Sequence, residues 1–203
     1  MTGSPPPAPP PSRRKLLIGS AIALVAAGAT VLLFVLPAEF DIDPTGFGRF
    51  TGLTKIANPG MSPEQKRGAL RTGVLTPLAG TLTPEPGKTD HWEFELDPYA
   101  GIELKYDLAE GKAMTFRWRA TGPLHYDMHA HPFVGGTALT ESYSVSEASS
   151  MQGRYVAAFT GIHGWYWQNR SMELVKLTLD ASGGITGARI FDAAGEHKRP
   201  LGK

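Results

Sequence analysis

Residues 91–120 read "HWEFELDPYAGIELKYDLAEGKAMTFRWRA", and apolar residues alternate with polar or charged residues in three parts of this run. In the first part, Trp92, Phe94 and Leu96 share one face of an extended chain. The parts "IELKYDL" and "MTFRWRA" repeat the pattern. Alternation with a period of two is typical of antiparallel strands that bury one face. The run therefore predicts three such strands.

Turn signals recur at intervals of about ten residues. They are Tyr99-Ala100-Gly101, Glu110-Gly111, Gly122-Pro123, Gly135-Gly136, Gly153 and Ser182-Gly183-Gly184. The segments between them supply further strand candidates at 123–130, 139–146, 154–160, 163–169, 173–180 and 185–191. Eight or nine short strands of this kind predict an all-β domain over residues 81–203, an antiparallel β-sandwich of jelly-roll type.

A membrane helix is predicted ahead of this domain. Residues 16–36 read "LLIGSAIALVAAGATVLLFVL", a run of 21 residues without a charge. As a helix it spans roughly 32 Å, enough for a hydrocarbon layer of about 30 Å. Residues 1–15 form a proline-rich tail that we expect to be disordered. Residues 37–80 are predicted to form a juxtamembrane stalk that is partly helical, since Asp43-Pro44 is a plausible helix start.

The charges beside the apolar run predict its orientation. Arg13, Arg14 and Lys15 precede it, whereas Glu39 and Asp41 are the first charges after it. The positive-inside rule leaves the N-terminus in the cytoplasm and the β domain in the periplasm of a bacterium, anchored to the inner membrane. A cleaved signal peptide is the alternative. The run is longer than the usual apolar core of a signal, which favours an uncleaved anchor.

Composition excludes several classes of function. The chain has no cysteine, so thiolate metal sites and thiol redox chemistry are excluded. Three of its 20 basic residues precede the apolar run, which leaves 17 basic against 19 acidic residues beyond it. This balance gives no nucleic-acid-binding surface. The lipid bilayer, contacted by residues 16–36, is the one partner that the composition itself predicts.

The densest group of potential metal ligands is "LHYDMHAHP", residues 124–132. In a strand, Asp127, His129 and His131 project to one face, and a His-x-His pair is suited to Zn²⁺ or Cu²⁺. His163, between two glycines, is the fourth candidate, projecting from a turn. We therefore name Asp127, His129, His131 and His163 as candidate metal ligands. A polar, hydrogen-bonded strand face without a metal is the alternative.

Motifs for nucleophilic catalysis or phosphate binding are missing from the sequence, which has no G-x-S-x-G and no P-loop. A cupin-like enzyme has a jelly roll and a His-x-His pair, but it also needs a glutamate four or five residues beyond that pair. Here the next glutamate is Glu141. The sequence thus favours a non-catalytic protein, with a metal-dependent periplasmic enzyme as the alternative.

Three motifs together resemble a bacterial family of transmembrane anchor proteins. They are "VLPAEFDIDPTGFGRFTGLT", "YDMHAHP", and "AAFTGIHGWYWQNRS" followed by "VKLTLDASG". The resemblance implies one membrane helix and a small β-rich periplasmic domain that accompanies an envelope transport system. The family motif Asp-x-His-Gly matches Asp127 and His129, while Ala130 departs from it. The resemblance therefore favours Asp127, His129 and His163 as site residues, and an envelope protein as partner.

Overall fold

The computed structural model describes residues 12–192 and 194–202. Most of the predicted proline-rich tail lies outside these residues. The described chain divides into two compact units, one up to Gly60 and one from Met61 onward. It is mostly antiparallel β-sheet, but helices occupy much of residues 13–69, so the chain as a whole is not all-β.

The first unit contains helix α1, Arg13–Phe40, which is long and apolar enough to cross a membrane. It extends beyond the predicted 16–36 at both ends. Its segment Val31–Val35 is a π-helix, directly before Pro37. Proline has no backbone N–H to donate, and a π-turn accommodates the gap in the hydrogen-bond ladder. Asp41, with a left-handed φ of 55°, ends the helix.

Short helices α2, Phe47–Thr51, and α3, Thr54–Ala57, complete the first unit. The second unit opens with helix α4, Pro63–Ala69, whose start is fixed by a capping box between Ser62 and Gln65. This helix packs on a strand of the sheet. The compact β unit consequently includes residues 61–80, which the sequence assigned to the stalk.

Nine strands follow in the described part of the chain, and all their pairings are antiparallel. They are β1 Leu75–Pro77, β2 Lys88–Leu96, β3 Gly101–Leu108, β4 Ala113–Pro132, β5 Glu141–Val156, β6 Gly161–Gln168, β7 Val175–Gly183, β8 Gly187–Asp192 and β9 Gly195–Arg199. The hydrogen-bonded order is β1-β5-β4-β6-β3-β8-β9, and β2 joins through β7 to β4. The alternating segments of residues 91–120 are strands, as predicted.

Strand β4 is the branch point of the sheet. Its residues 114–120 pair with β7, whereas residues 125–132 pair with β6. The register along β5 shifts between Arg119 and Leu124, at Gly122-Pro123. The strands form one continuous branched sheet, whereas a sandwich has two, so the jelly roll stays a prediction.

The core lies between the β2–β7 branch and the β3–β6 branch. Trp92 of β2 stacks on Trp167 of β6, with ring centroids 6.3 Å apart. Phe116 of β4 packs against Trp165 of β6, with centroids 4.6 Å apart. Such aromatic pairs add to the free energy gained by burial alone. The two tryptophans of "GWYWQNR" therefore belong to the core, and the outer faces of both branches are left for polar residues.

Candidate functional site

The "LHYDMHAHP" stretch forms the second half of β4, and its side chains alternate as the sequence predicted. Tyr126, Met128 and Ala130 are buried. Asp127, His129 and His131 are half-buried on the opposite face. Of the four predicted ligands, these three share one face of the sheet.

His163 is on the other face. In the β4–β6 ladder it lies opposite Ala130, and residues directly opposite one another share a face. Its side chain is fully buried in the core. Nε2 donates to the carbonyl oxygen of Phe159 at 3.0 Å, and Nδ1 accepts from the Tyr155 hydroxyl at 2.7 Å. Both ring nitrogens are engaged, so the structure does not bring His163 together with His129 and His131.

The other three candidates do not converge on a common point. His129 contacts the Glu103 carboxylate through Nε2 at 3.2 Å, and its Nδ1 faces the Asp127 carbonyl oxygen at 3.2 Å. The Asp127 carboxylate accepts from Ser142 Oγ at 2.5 Å. His131 Nδ1 faces the Pro132 carbonyl oxygen. Among the described residues, no group of three or more His, Asp or Glu is placed to hold a metal ion. Binding of Zn²⁺ or Cu²⁺ stays a prediction without an assembled ligand set.

A buried lysine lies at the centre of this face. Lys105 of β3, Gly164 of β6 and His129 of β4 form one row across three strands. Because Gly164 has no side chain, the Lys105 side chain has room to reach the His129 carbonyl oxygen, at 2.9 Å from Nζ. Nζ also contacts Glu103 Oε1 at 3.2 Å. The Lys105 amine thus links its own strand, β3, to β4 across the glycine of β6.

The ionisation of this network follows from its burial. Burial lowers the pKa of Lys105 to about 8. Burial alone would raise the pKa of Glu103, but the hydrogen bond from His129 and the charge of Lys105 outweigh it and lower that pKa to about 2. Neither residue was predicted as a site member, since the alternation assigns both to an exposed polar face. The available signal in the sequence was the glycine at position 164, which lies opposite Lys105 of β3 and His129 of β4 and leaves room for a long side chain.

A cavity lies on the outer face of the other branch, beneath residues 78–86, which we call the covering segment. Gln152 Nε2 donates to the carbonyl oxygens of Leu78 and Gly80, at 3.2 and 2.6 Å. The backbone N–H of Glu85 donates to Thr115 Oγ1 at 2.9 Å. These bonds hold the segment over a cavity of about 300 Å³. Its lining includes Leu82, Pro84, His91, Arg117, Asp180 and Ser182.

The floor of the cavity contains three cross-strand neighbours in a row, His91, Asp180 and Arg117, and Gln152 on β5 continues the row beyond the cavity. His91 donates from Nδ1 to Asp180 at 2.7 Å, and its Nε2 contacts Glu93 at 3.3 Å. The bond to Asp180 and then that to Glu93 raise the pKa of His91. No local signal in the sequence pairs His91 with Asp180, because the two residues lie on strands that are distant in sequence.

Among the residues that the structure describes, Arg117 is the one cation of this floor without a carboxylate partner. Its Nε donates to Gln152 Oε1 at 2.7 Å. Within residues 12–192 and 194–202, no carboxylate oxygen lies within 4.0 Å of the Arg117 guanidinium, and neither Nη atom has a hydrogen-bond partner. A planar guanidinium with two open donors is suited to a bidentate bond with a carboxylate. The arrangement can therefore bind an anion.

No family model matches the chain, and no curated protein matches it. The resemblance to transmembrane anchor proteins therefore stays a prediction.

Proposed function

We propose that this chain is a membrane-tethered, non-catalytic accessory protein whose β unit binds a small organic carboxylate in the cavity beneath the covering segment. The observation that carries this function is Arg117, which is half-buried and borders the cavity with no acidic partner among the described residues. A cation in a cavity gains free energy from an anion that replaces lost hydration.

The tether is helix α1, together with the charges beside it. Arg13, Arg14 and Lys15 open the helix, and Glu39 and Asp41 lie at its far end. This asymmetry supports a cytoplasmic N-terminus and a β unit on the outer side of a bacterial inner membrane. An envelope protein as partner follows from the family resemblance alone and belongs to the same proposal.

The ligand class follows from the cavity's size and lining. Its volume of about 300 Å³ is at the lower end of ligand pockets, which favours a small molecule. Leu82 and Pro84 of the covering segment offer an apolar surface above the charged floor. A ligand with one carboxylate for Arg117 and a short apolar body fits both surfaces.

The alternative, a metal-dependent enzyme, has less support. It needs Asp127, His129 and His163 around one open coordination position, and the ladder register separates His163 from the other two. Lys105 is fully buried, so its amine has no route to a substrate. The polar groups on this face bond to one another, which supports a structural role for them.

Butyrate, titrated into the full chain in lipid nanodiscs, tests the proposal. We expect butyrate to shift the backbone amide signals of Thr115 and Ser182, and the neutral butyramide to leave them in place. Arg117→Gln should weaken butyrate binding by roughly 10-fold or more, because hydrogen bonds to charged groups contribute about 1.5–3 kcal/mol.

Arg170→Gln is the matched control. Arg170 also donates from Nε to a glutamine, Gln168, at 3.0 Å, but it does not line the cavity. It should leave butyrate binding unchanged. Equal shifts with butyramide, or equal binding by Arg117→Gln and the wild type, would contradict the proposal.

A further inference from the structure

The chain folds back on helix α1 directly after that helix ends. The Phe47 ring packs edge-on against Phe34 of α1, with centroids 5.4 Å apart. Gly48 lies so close to Pro37 that a Cβ at position 48 would collide with the proline ring. Residues 47 and 48 are therefore level with the last turns of α1.

Polar contacts hold this return in place. Asp43, whose side chain is 1% exposed, accepts from the backbone N–H of Arg49 at 2.8 Å and from Thr45 Oγ1 at 3.3 Å. Asn58 donates from Nδ2 to Asp41 at 3.1 Å and closes the loop. Residues 40–57, which we call the juxtamembrane foot, are thus shaped by contacts within the first unit itself.

Several large apolar side chains of the foot are exposed. Phe50 is 88% exposed and Ile56 is 66% exposed, and Phe40 and Ile42 are also exposed. Two cations accompany them on short helices: Arg49, with a side chain 73% exposed, and Lys55. Large apolar side chains beside cations are typical of segments that lie in the interface of a bilayer with anionic lipids.

The depth of the foot follows from its contact with α1. The uncharged run 16–36 spans roughly 32 Å, close to the thickness of the hydrocarbon layer. Phe34 is two residues from the end of that run, about 3 Å below the boundary. Phe47, which packs on Phe34, is at the same depth.

From this depth and this surface, we infer that the juxtamembrane foot is a lipid-binding surface seated in the outer leaflet. Phe50 and Ile56 enter the boundary between acyl chains and headgroups, and Arg49 and Lys55 lie among the phosphates. The inference rests on the proposed tether, since without a spanning α1 the foot has no bilayer beside it.

Site-directed spin labelling of the full chain tests the inference, and the absence of native cysteine makes single variants direct. Phe50→Cys and Ile56→Cys carry the test label. Leu24→Cys, in the middle of the apolar run, and Glu147→Cys, exposed on β5, are the controls. Each variant is placed in vesicles of phosphatidylcholine and phosphatidylglycerol in a roughly four-to-one mixture. Collision with oxygen and with a water-soluble nickel chelate reports the depth of each label.

We expect the labels at positions 50 and 56 to collide with the nickel chelate at least about threefold less often than the label at 147. If the labels at positions 50 and 56 were as accessible to the nickel chelate as the label at 147, while the label at 24 stayed shielded, the lipid-binding role of the foot would be wrong and the tether would stand. An accessible label at 24 would overturn the tether and the foot together.

Discussion

The Nδ1 atom of His163 accepts a hydrogen bond from the Tyr155 hydroxyl at 2.7 Å, in the core of the β unit. A carbonyl oxygen only accepts, so the bond to Phe159 requires the hydrogen on Nε2. The imidazole is thus neutral in the folded state. Its burial lowers the pKa of His163 to about 4.

We expect the free energy of unfolding to decrease as the pH falls from about 6.5 to about 4. The unfolded His163 takes up a proton in this range and the folded one does not, so the stability that His163 contributes is lost toward acid. Over this whole pH range, protonation of His163 should lower the free energy of unfolding by roughly 3 kcal/mol. Glu103, with a folded pKa of about 2, adds a second loss below about pH 4.5. Urea unfolding of the chain at a series of pH values measures both.

Two variants assign the first loss to His163. His163→Gln should flatten the dependence between about pH 6.5 and 4.5. Tyr155→Phe removes the donor that stabilises the neutral ring, so it should raise the pKa of His163 and make the loss below about pH 6.5 smaller. An unchanged slope in both variants would mean that another group causes the acid sensitivity.

His163 shows which part of the candidate site the sequence predicts and which part it does not. Trp165 and Trp167 are two residues apart in the sequence, a spacing that places both side chains on one face of a strand. Strand β6 begins at Gly161, so the same alternation also covers His163. His163 is two residues before Trp165 and therefore lies on the same face of the strand as the two tryptophans. Treating His163 as a turn residue concealed this. Which strand lies beside β6 has no local signal, since it depends on packing between segments distant in the chain.

Gly164→Ala should destabilise the β unit by about 2–3 kcal/mol or more, because a Cβ there collides with the backbone of Leu104. Gly122→Ala is the milder control, since its Cβ would meet only a methyl group of Val175, at 3.2 Å. Urea unfolding of both variants gives the comparison. Equal losses would show that the row of Lys105, Gly164 and His129 is not tightly packed.

Glycine was also an ambiguous signal in the sequence. Gly122-Pro123 and Gly153 were predicted as turns, but both lie inside long strands. A Cβ on Gly153 would lie 2.6 Å from the Thr76 carbonyl oxygen, so glycine there permits close approach of β1. Close approach and chain reversal both select glycine, and local sequence does not distinguish them. The strand faces were therefore predictable, while the fusion of strands into β4 and β5 was not.

Lys105 should resist acylation in the folded chain, because its side chain is fully buried. Its pKa of about 8 would otherwise make it unusually nucleophilic. Lys176, with a side chain 63% exposed, should react readily under the same conditions. Mass spectrometry after labelling at about pH 8.5, with and without urea, checks this. If Lys105 in the folded chain were labelled as fast as Lys176, the hydrogen-bonded network around Lys105 would have to open to solvent.

Arg71→Gln should lower the free energy of unfolding by about 1–3 kcal/mol. Arg71 follows α4 and donates two hydrogen bonds to the Glu141 carboxylate, which is largely buried at the start of β5. Lys176→Gln breaks an exposed pair with Glu95 and should cost at most about 0.5–1 kcal/mol. Equal effects in urea unfolding would mean that residues 61–74 are not part of the cooperative β unit.

The state of the mature chain in bacterial cells tests the tether most directly. Cells that express the full sequence are converted to spheroplasts, treated with an added protease and extracted with alkaline carbonate. Without protease, we expect an intact chain of 21.8 kDa in the membrane fraction. With protease, we expect the membrane to keep a shortened chain that has lost its β unit. A soluble chain that lacks its first forty residues, or a β unit protected until the spheroplasts are lysed, would contradict it.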